Sequence, residues 1–163
     1  RTVTRYAVNS NGFVELLPDD RASGTEGGRS WANTPLPNAT APNGLIAPFW
    51  DDLDPDGSSR TRRWLAGSAP NRVEHFRWTE TRRYRDGDAR LTFEARLFET
   101  SGRIEFLYCR LDGESGSTTN GQRARGGSAT VGLESLDATQ AFLISFDRAT
   151  LMPGLLLRFE PLP

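Results

Sequence analysis

Lysine is missing from this chain of 163 residues, and cysteine and histidine occur only once each. Without lysine the chain has no Schiff-base nucleophile, no Walker-type phosphate-binding loop and no lysine-dependent isopeptide cross-link. A single cysteine excludes a disulfide within the chain, and a single histidine excludes a multi-histidine metal centre. These absences remove most of the enzyme classes that a sequence motif would identify.

An excess of charge is also missing, since 20 arginines face 21 acidic residues and the formal net charge is −1. A general nucleic-acid-binding protein carries a basic excess, so we expect no nucleic-acid partner. No apolar run approaches the roughly 18 residues of a membrane span, so we expect no such span. The chain begins at Arg1 rather than Met, which predicts a processed or recombinant product, so that any targeting peptide would not be visible in this sequence.

Short apolar segments separated by turn signals run through the whole sequence, which contains 16 glycines and 10 prolines. In residues 90–100 large apolar and polar side chains alternate, which is typical of a strand with one buried face. The other predicted strands are Thr2–Val8, Phe13–Leu17, Leu45–Trp50, Arg63–Ala66, Arg72–Thr79, Arg103–Cys109, Ser128–Glu134, Ala141–Phe146 and Gly154–Glu160.

This pattern predicts an all-β protein: a single-domain antiparallel β-sandwich of about nine or ten short strands over residues 1–163. Residues 19–43 and 112–127 are predicted as two long polar loops, and no segment shows a helical period. Pro48 marks its strand as an edge strand or a bulged one, because proline has no N–H for the ladder. The predicted core comprises Phe13, Ile46, Phe49, Trp50, Phe76, Trp78, Leu91, Phe93, Leu97, Ile104, Phe106, Val131, Leu133, Leu143, Phe146, Leu155, Leu157 and Phe159.

An early Asn11-Gly12-Phe13 turn precedes the stretch NATAPNGLIAPFWDDLD at Asn38–Asp54, and a hairpin LTFEARLFETSGRIEFLY and the segment SATVGLES follow. With these motifs the chain resembles the nidogen-like (NIDO) extracellular domain, in the compact form found in bacterial secreted and surface proteins. The resemblance spans about Val8 to Phe159, and the core Ala47–Asp52 is its most specific part.

The resemblance implies a non-catalytic module, secreted to the extracellular space or cell surface, that serves adhesion or surface assembly. Its partners would be other extracellular or surface proteins, including copies of itself. We expect no enzyme activity, because no Gly-x-Ser-x-Gly motif occurs and no carboxylate pair stands out among the acidic residues.

The densest acidic cluster follows Trp50, and we call residues Asp51–Asp56 the acidic turn. Asp52, Asp54 and Asp56, followed by glycine, match the first half of a calcium loop, so Ca²⁺ is the one cofactor that the sequence suggests. The twelfth position of such a loop would be Arg63 instead of a glutamate. A turn whose aspartates cap backbone N–H groups, neutralised by Arg60, Arg62 and Arg63, is the alternative, and a catalytic role is a third.

A carbohydrate-binding β-sandwich module is the alternative function, with calcium assistance from the acidic turn. Trp31 and Trp64 lie in or near polar segments, so they are the candidate residues for stacking on a glycan. His75 is interpreted as a strand histidine satisfied by a neighbour or by solvent, and Cys109 as a small buried residue. The arginines around Tyr84 are interpreted as a solvated hairpin tip.

Overall fold

The computed structural model describes residues 3–18, 31–113 and 117–161, and across these residues ten strands form two antiparallel five-stranded sheets. The strands are β1 (Val3–Asn9), β2 (Phe13–Pro18), β3 (Leu45–Trp50), β4 (Arg60–Ala66), β5 (Val73–Arg83), β6 (Asp86–Phe98), β7 (Ile104–Asp112), β8 (Thr130–Glu134), β9 (Ala141–Phe146) and β10 (Leu156–Phe159). The predicted all-β sandwich is confirmed.

The order of strands determines which of them lie at sheet edges. The first sheet runs β1-β2-β3-β8-β9, and the second runs β10-β7-β6-β5-β4. Tyr6 of β1 packs edge-on against Phe76 of β5, with ring centroids 5.0 Å apart, and the guanidinium of Arg63 in β4 lies over the same tyrosine. The edges β1 and β4 are therefore on one side of the sandwich, and β9 lies at the other edge of its sheet.

The main core lies between the two sheets, where alternate residues of each strand meet. Phe93 of β6 stacks on both Phe49 of β3 and Trp78 of β5, with centroid distances of 5.3 and 5.1 Å. The polar atoms of two buried aromatic residues in this core have hydrogen-bond partners. The Tyr108 hydroxyl donates to the Pro48 carbonyl at 2.7 Å, and the Trp78 indole donates to the Asn9 carbonyl at 2.9 Å. The period-two pattern in β6 therefore identified the core correctly.

A second, smaller cluster on the first sheet explains the continuous apolar run of β3. Every residue of β3 is buried, and the cluster joins Leu45, Ala47 and Trp50 to Phe13 and the loop residue Leu36. β3 lies between β2 and β8, so the edge position suggested by Pro48 is wrong. The bulge is confirmed, since the register with β8 shifts between Ala47 and Trp50, where proline interrupts the ladder.

Two other expectations fail. The predicted loop 112–127 contains a short helix, α1 (Thr118–Gln122), whose N-cap Ser117 accepts a hydrogen bond from the backbone N–H of Asn120. Leu143, predicted in the core, is exposed because β9 is an edge strand. Of the predicted loop 19–43, residues 19–30 lie outside the described residues, and residues 31–43 contain no strand.

Candidate functional site

The acidic turn after β3 is held in place by the β1–β2 turn beneath it. Gly12 adopts a φ of +81°, and a Cβ there would lie 1.9 Å from the Phe49 carbonyl oxygen. The Asn11 side chain then accepts a hydrogen bond from the backbone N–H of Leu53 at 2.9 Å. The early Asn-Gly pair is thus required by a close approach of two backbones.

The end of β5 runs beside the acidic turn and brings its arginines there. The backbone N–H of Asp54 donates to the Arg82 carbonyl at 3.0 Å, and that of Tyr84 donates to the Asp52 carbonyl at 2.8 Å. This pairing places two consecutive arginine side chains, Arg82 and Arg83, against the aspartates.

Asp51 is the buried member of the turn. Its Oδ2 lies 3.0 Å from the Nε of Arg83 and accepts a hydrogen bond from the Ser128 hydroxyl at 2.6 Å. Burial raises the pKa of Asp51, although the bonds from Ser128 and Arg83 act in the opposite direction. This triad links β3, β5 and the segment before β8, so its role in the structure is to join the two sheets.

Asp54 and Asp56 share one guanidinium. Arg82 lies 3.2 Å from the Oδ2 of Asp54 through Nη2 and 3.3 Å from the Oδ2 of Asp56 through Nε. The Oδ1 of Asp56 accepts hydrogen bonds from the backbone N–H and the hydroxyl of Ser58, at 2.9 and 2.6 Å, and these bonds lower the pKa of Asp56. This is the capping geometry that the second interpretation of the turn describes.

The arginines that pair with the turn are not the ones near it in sequence. Arg60 donates to the carbonyls of Gly57 and Ser59, and Arg63 pairs with Glu74 at 2.6 Å. Sequence reasoning could not find the true partners, because they reach the turn through a pairing between distant segments.

No three His, Cys, Asp or Glu side chains within the described ranges form a group that could hold a metal ion. Arg82 already occupies carboxylate oxygens of Asp54 and Asp56, which argues against calcium binding at the acidic turn. The calcium site at Asp52, Asp54 and Asp56 stays a prediction, and its test is given in the Discussion.

The two candidate tryptophans lie near different sheets. Trp31 is 53% exposed in the loop that covers the first sheet, where neighbouring Asn33 donates to the Thr130 hydroxyl at 3.2 Å. Trp64 is 37% exposed on β4 of the second sheet. The structure therefore does not bring Trp31, Trp64 and the acidic turn together into one glycan platform.

Trp64 belongs to an organised network instead. Its indole stacks on the imidazole of His75, with centroids 4.5 Å apart and planes 10° apart. The Nδ1 of His75 lies 2.8 Å from the Oε1 of the buried Glu94, and the Nε of Arg96 lies 2.6 Å from the same oxygen. Burial raises the pKa of Glu94, but the hydrogen bonds from Arg96 and His75 outweigh it and lower that pKa overall. The expected neighbour-satisfied histidine is found here.

Comparison with known protein families matches residues 1–154 to the family described as NIDO related. The chain belongs to the NIDO-related family. Domains of this type are extracellular. No curated protein matches the chain, and no solved structure matches it. In the described part of this NIDO-related domain, no helix is long and apolar enough to cross a bilayer.

The NIDO-related domain exposes one unusual edge that the sequence analysis missed. Phe142, Leu143 and Ile144 are consecutive in β9 and are 61, 40 and 45% exposed. No strand of the described residues lies beyond β9. The available signal was the absence of strict alternation in this segment, which does not fit a strand with one buried and one polar face.

Cys109 of the NIDO-related domain is also exposed, so its predicted burial is wrong. It lies on the outer face of β7, and the Nη2 of Arg77 is 3.9 Å from its sulfur. Of the predicted hairpin tip, Tyr84 and Arg85 are exposed, with the guanidinium 5.2 Å from the ring centroid. Only this pair fits the expected solvated tip.

Proposed function

We propose that this NIDO-related domain is a non-catalytic, secreted module for extracellular adhesion or surface assembly, acting through protein–protein contacts with copies of itself. The observation that carries the proposal is the uncharged, apolar edge strand β9. Its six residues, AFLISF, contain no charge, proline or glycine, which is the composition that favours pairing with another strand.

The four sheet edges differ in charge, and this difference selects a second copy as the partner of β9. Arg5 lies in β1 and Arg158 in β10, and β4 carries Arg60, Arg62 and Arg63. Like charges brought opposite each other destabilise a strand pair, so an arginine-bearing edge is unfavourable against its own copy. Strand β9 contains no charged side chain, so antiparallel pairing of two β9 strands creates no charge repulsion between them.

The size of the exposed patch sets the expected strength. With roughly 200 Å² for a fully exposed large side chain, the three apolar residues of β9 offer about 300 Å² per copy. Two copies then bury about 600 Å² through these side chains, below the roughly 1,200 Å² of a stable complex. We expect a reversible dimer with a dissociation constant of roughly 10 µM to 1 mM.

The non-catalytic part of the proposal is supported by the state of three of the buried carboxylates. Asp51, Glu94 and Glu105 each lie within 3.1 Å of an arginine side-chain nitrogen, so they serve as structural ion-pair partners. A general acid or base needs a carboxylate that is free to exchange a proton with substrate.

The test is sedimentation velocity from about 10 µM to 1 mM protein, with a reductant present because Cys109 is exposed. Ile144→Lys should abolish the concentration-dependent dimer by placing like charges opposite each other. Leu65→Lys is the matched control, since Leu65 is 47% exposed on the edge strand β4. A monomer at every concentration, or an equal effect of the two variants, would contradict assembly through β9.

A further inference from the structure

A groove on the outer face of the second sheet, away from β9, combines positive charge with an aromatic surface. It has a volume of about 410 Å³ and is lined by Arg60, Arg62, Trp64, Arg77 and Thr79. The register of β4 and β5 pairs Arg62 with Arg77 and Arg60 with Thr79. Because residues two apart in a strand share a face, these side chains project from the same side of the sheet.

The positive charge of this groove is largely uncompensated by neighbouring residues. Arg60 donates only to backbone carbonyls, and Arg62 forms no ion pair with another described residue. Arg77 has one carboxylate nearby, since its Nη1 lies 3.7 Å from Glu94, and its buried Nε has no hydrogen-bond partner among the described residues. Glu94 is itself shared with His75 and a second arginine.

Of these three guanidinium groups, only that of Arg77 lies near a carboxylate of the described residues. An arginine fork recognises carboxylate, sulfate or phosphate groups through two parallel hydrogen bonds. The whole chain has a net charge of −1, so a polyanion is not attracted by the protein in general. Any affinity for one must come from a local arrangement of this kind.

Trp64 adds a second recognition element beside the arginines. One face of its indole is fixed by the stack on His75, which is held in turn by the buried Glu94. The residue keeps 37% of its surface exposed. A preorganised indole packs against the apolar C–H face of a sugar ring at little entropic cost.

We propose that this groove binds an anionic polysaccharide, with its acid groups on Arg60, Arg62 and Arg77 and a sugar ring on Trp64. The acid group is a carboxylate or a sulfate, and the two sources share the chemistry that an arginine fork recognises. The site lies on the opposite sheet from β9 and does not depend on self-assembly. Neither Trp31 nor the acidic turn lines this groove.

The test is calorimetric titration of the full chain with four probes: polygalacturonate, dextran sulfate, neutral dextran and a single-stranded oligonucleotide. We expect binding to one or both acidic polysaccharides and none to neutral dextran. Polygalacturonate and dextran sulfate distinguish carboxylate from sulfate as the bound group. Tighter binding of the oligonucleotide than of either acidic polysaccharide would overturn the proposal, as would equal binding of neutral dextran.

Four variants locate the site. Arg62→Gln and Trp64→Ala should each weaken binding about tenfold, whereas Trp64→Phe keeps an aromatic face and should lose less. Arg85→Gln is the matched control, because it removes the same charge beside the exposed Tyr84 at the far hairpin tip. Thermal unfolding of each variant should stay close to the wild type, since Arg62 and Trp64 lie on an exposed strand.

The variants also exclude a diffuse electrostatic effect. An equal loss in Arg85→Gln and Arg62→Gln, or full affinity in Trp64→Ala, would overturn the proposed site. Wild-type protein that stays monomeric at every concentration but still binds would overturn the assembly proposal and leave the polysaccharide site standing. Wild-type protein that dimerises but binds none of the polysaccharides would overturn the polysaccharide site and leave the assembly proposal standing.

Discussion

Replacing Arg83 with glutamine should destabilise the domain far more than the same replacement of its neighbour Arg82. Arg83 lies 3.0 Å from the buried carboxylate of Asp51, whereas Arg82 pairs with the more exposed Asp54 and Asp56. Breaking a buried pair leaves a charge without its partner in a low-dielectric site. Such a change costs about 3–5 kcal/mol, against about 0–1 kcal/mol for a surface pair.

The assay is thermal unfolding followed by circular dichroism. For a domain of this length, each kcal/mol lowers the melting temperature by roughly 2–4 °C, so Arg83→Gln should lower it by about 6–20 °C and Arg82→Gln by no more than about 4 °C. The double variant Arg83→Gln with Asp51→Asn should recover much of the loss, since no buried charge then remains.

The pH dependence of stability independently checks whether the buried charge of Asp51 causes the loss in Arg83→Gln. Burial raises the pKa of Asp51 above its usual 3.8, so the folded state binds the proton more tightly than the unfolded state. Stability from this group is therefore greatest below pH 3.8 and falls as the pH rises through the folded pKa. The deficit of Arg83→Gln should be largest at neutral pH and shrink in acid. Equal melting temperatures for the two arginine variants would refute this account of the buried triad.

Three further predictions concern other parts of the domain. Glu94→Gln should reduce the loss of stability in acid. The lowered pKa of Glu94 gives a stabilisation that is present above pH 4.5 and is lost as the pH falls from 4.5 through the folded-state pKa. Urea unfolding at pH 3 to 7 measures the free energy of unfolding of both proteins. Gly12→Ala should cost more than about 2 kcal/mol, because the residue has a positive φ and its Cβ would meet the Phe49 carbonyl, whereas Gly57→Ala, with open space around it, should cost less than about 1 kcal/mol. About 1 mM calcium should leave the melting temperature unchanged, since Arg82 already lies between the carboxylates, and a rise of several degrees would instead support the calcium site.

The fold could be predicted from local sequence because its signals are local. Alternation in β6 and the turn residues between strands depend on nearest neighbours, so both gave the correct class and most strand positions. The order of strands within a sheet is not encoded this way. Local sequence therefore places Leu143 in the core, although β9 lies at an edge, and it leaves open whether Pro48 marks an edge or a bulge, although β3 lies in the middle of its sheet.

The electrostatic features were harder to predict for the same reason. The acidic turn is visible in the sequence, but its partners Arg82 and Arg83 come from a hairpin some thirty residues away. Arg60 and Arg62 of β4, which lie near the turn in sequence, instead line the groove with Trp64. Only the register of β4 with β5 shows that Arg62 and Arg77 are neighbours. The net charge of −1 for the whole chain gives no sign of this local excess of positive charge.

The two proposals together make a prediction that neither makes alone. Pairing of β9 with β9 joins two first sheets edge to edge, while the groove lies on the second sheet near the opposite side of the sandwich. Both grooves of such a dimer stay open, so a polysaccharide long enough to reach both gains from bivalent binding. Ile144→Lys should then weaken binding to a long acidic polysaccharide about tenfold or more, and should leave binding to a short oligosaccharide of the same sugar unchanged. Equal losses for the long and the short ligand would mean that Ile144 contributes to the groove itself, and no loss for either would mean that the two surfaces act independently.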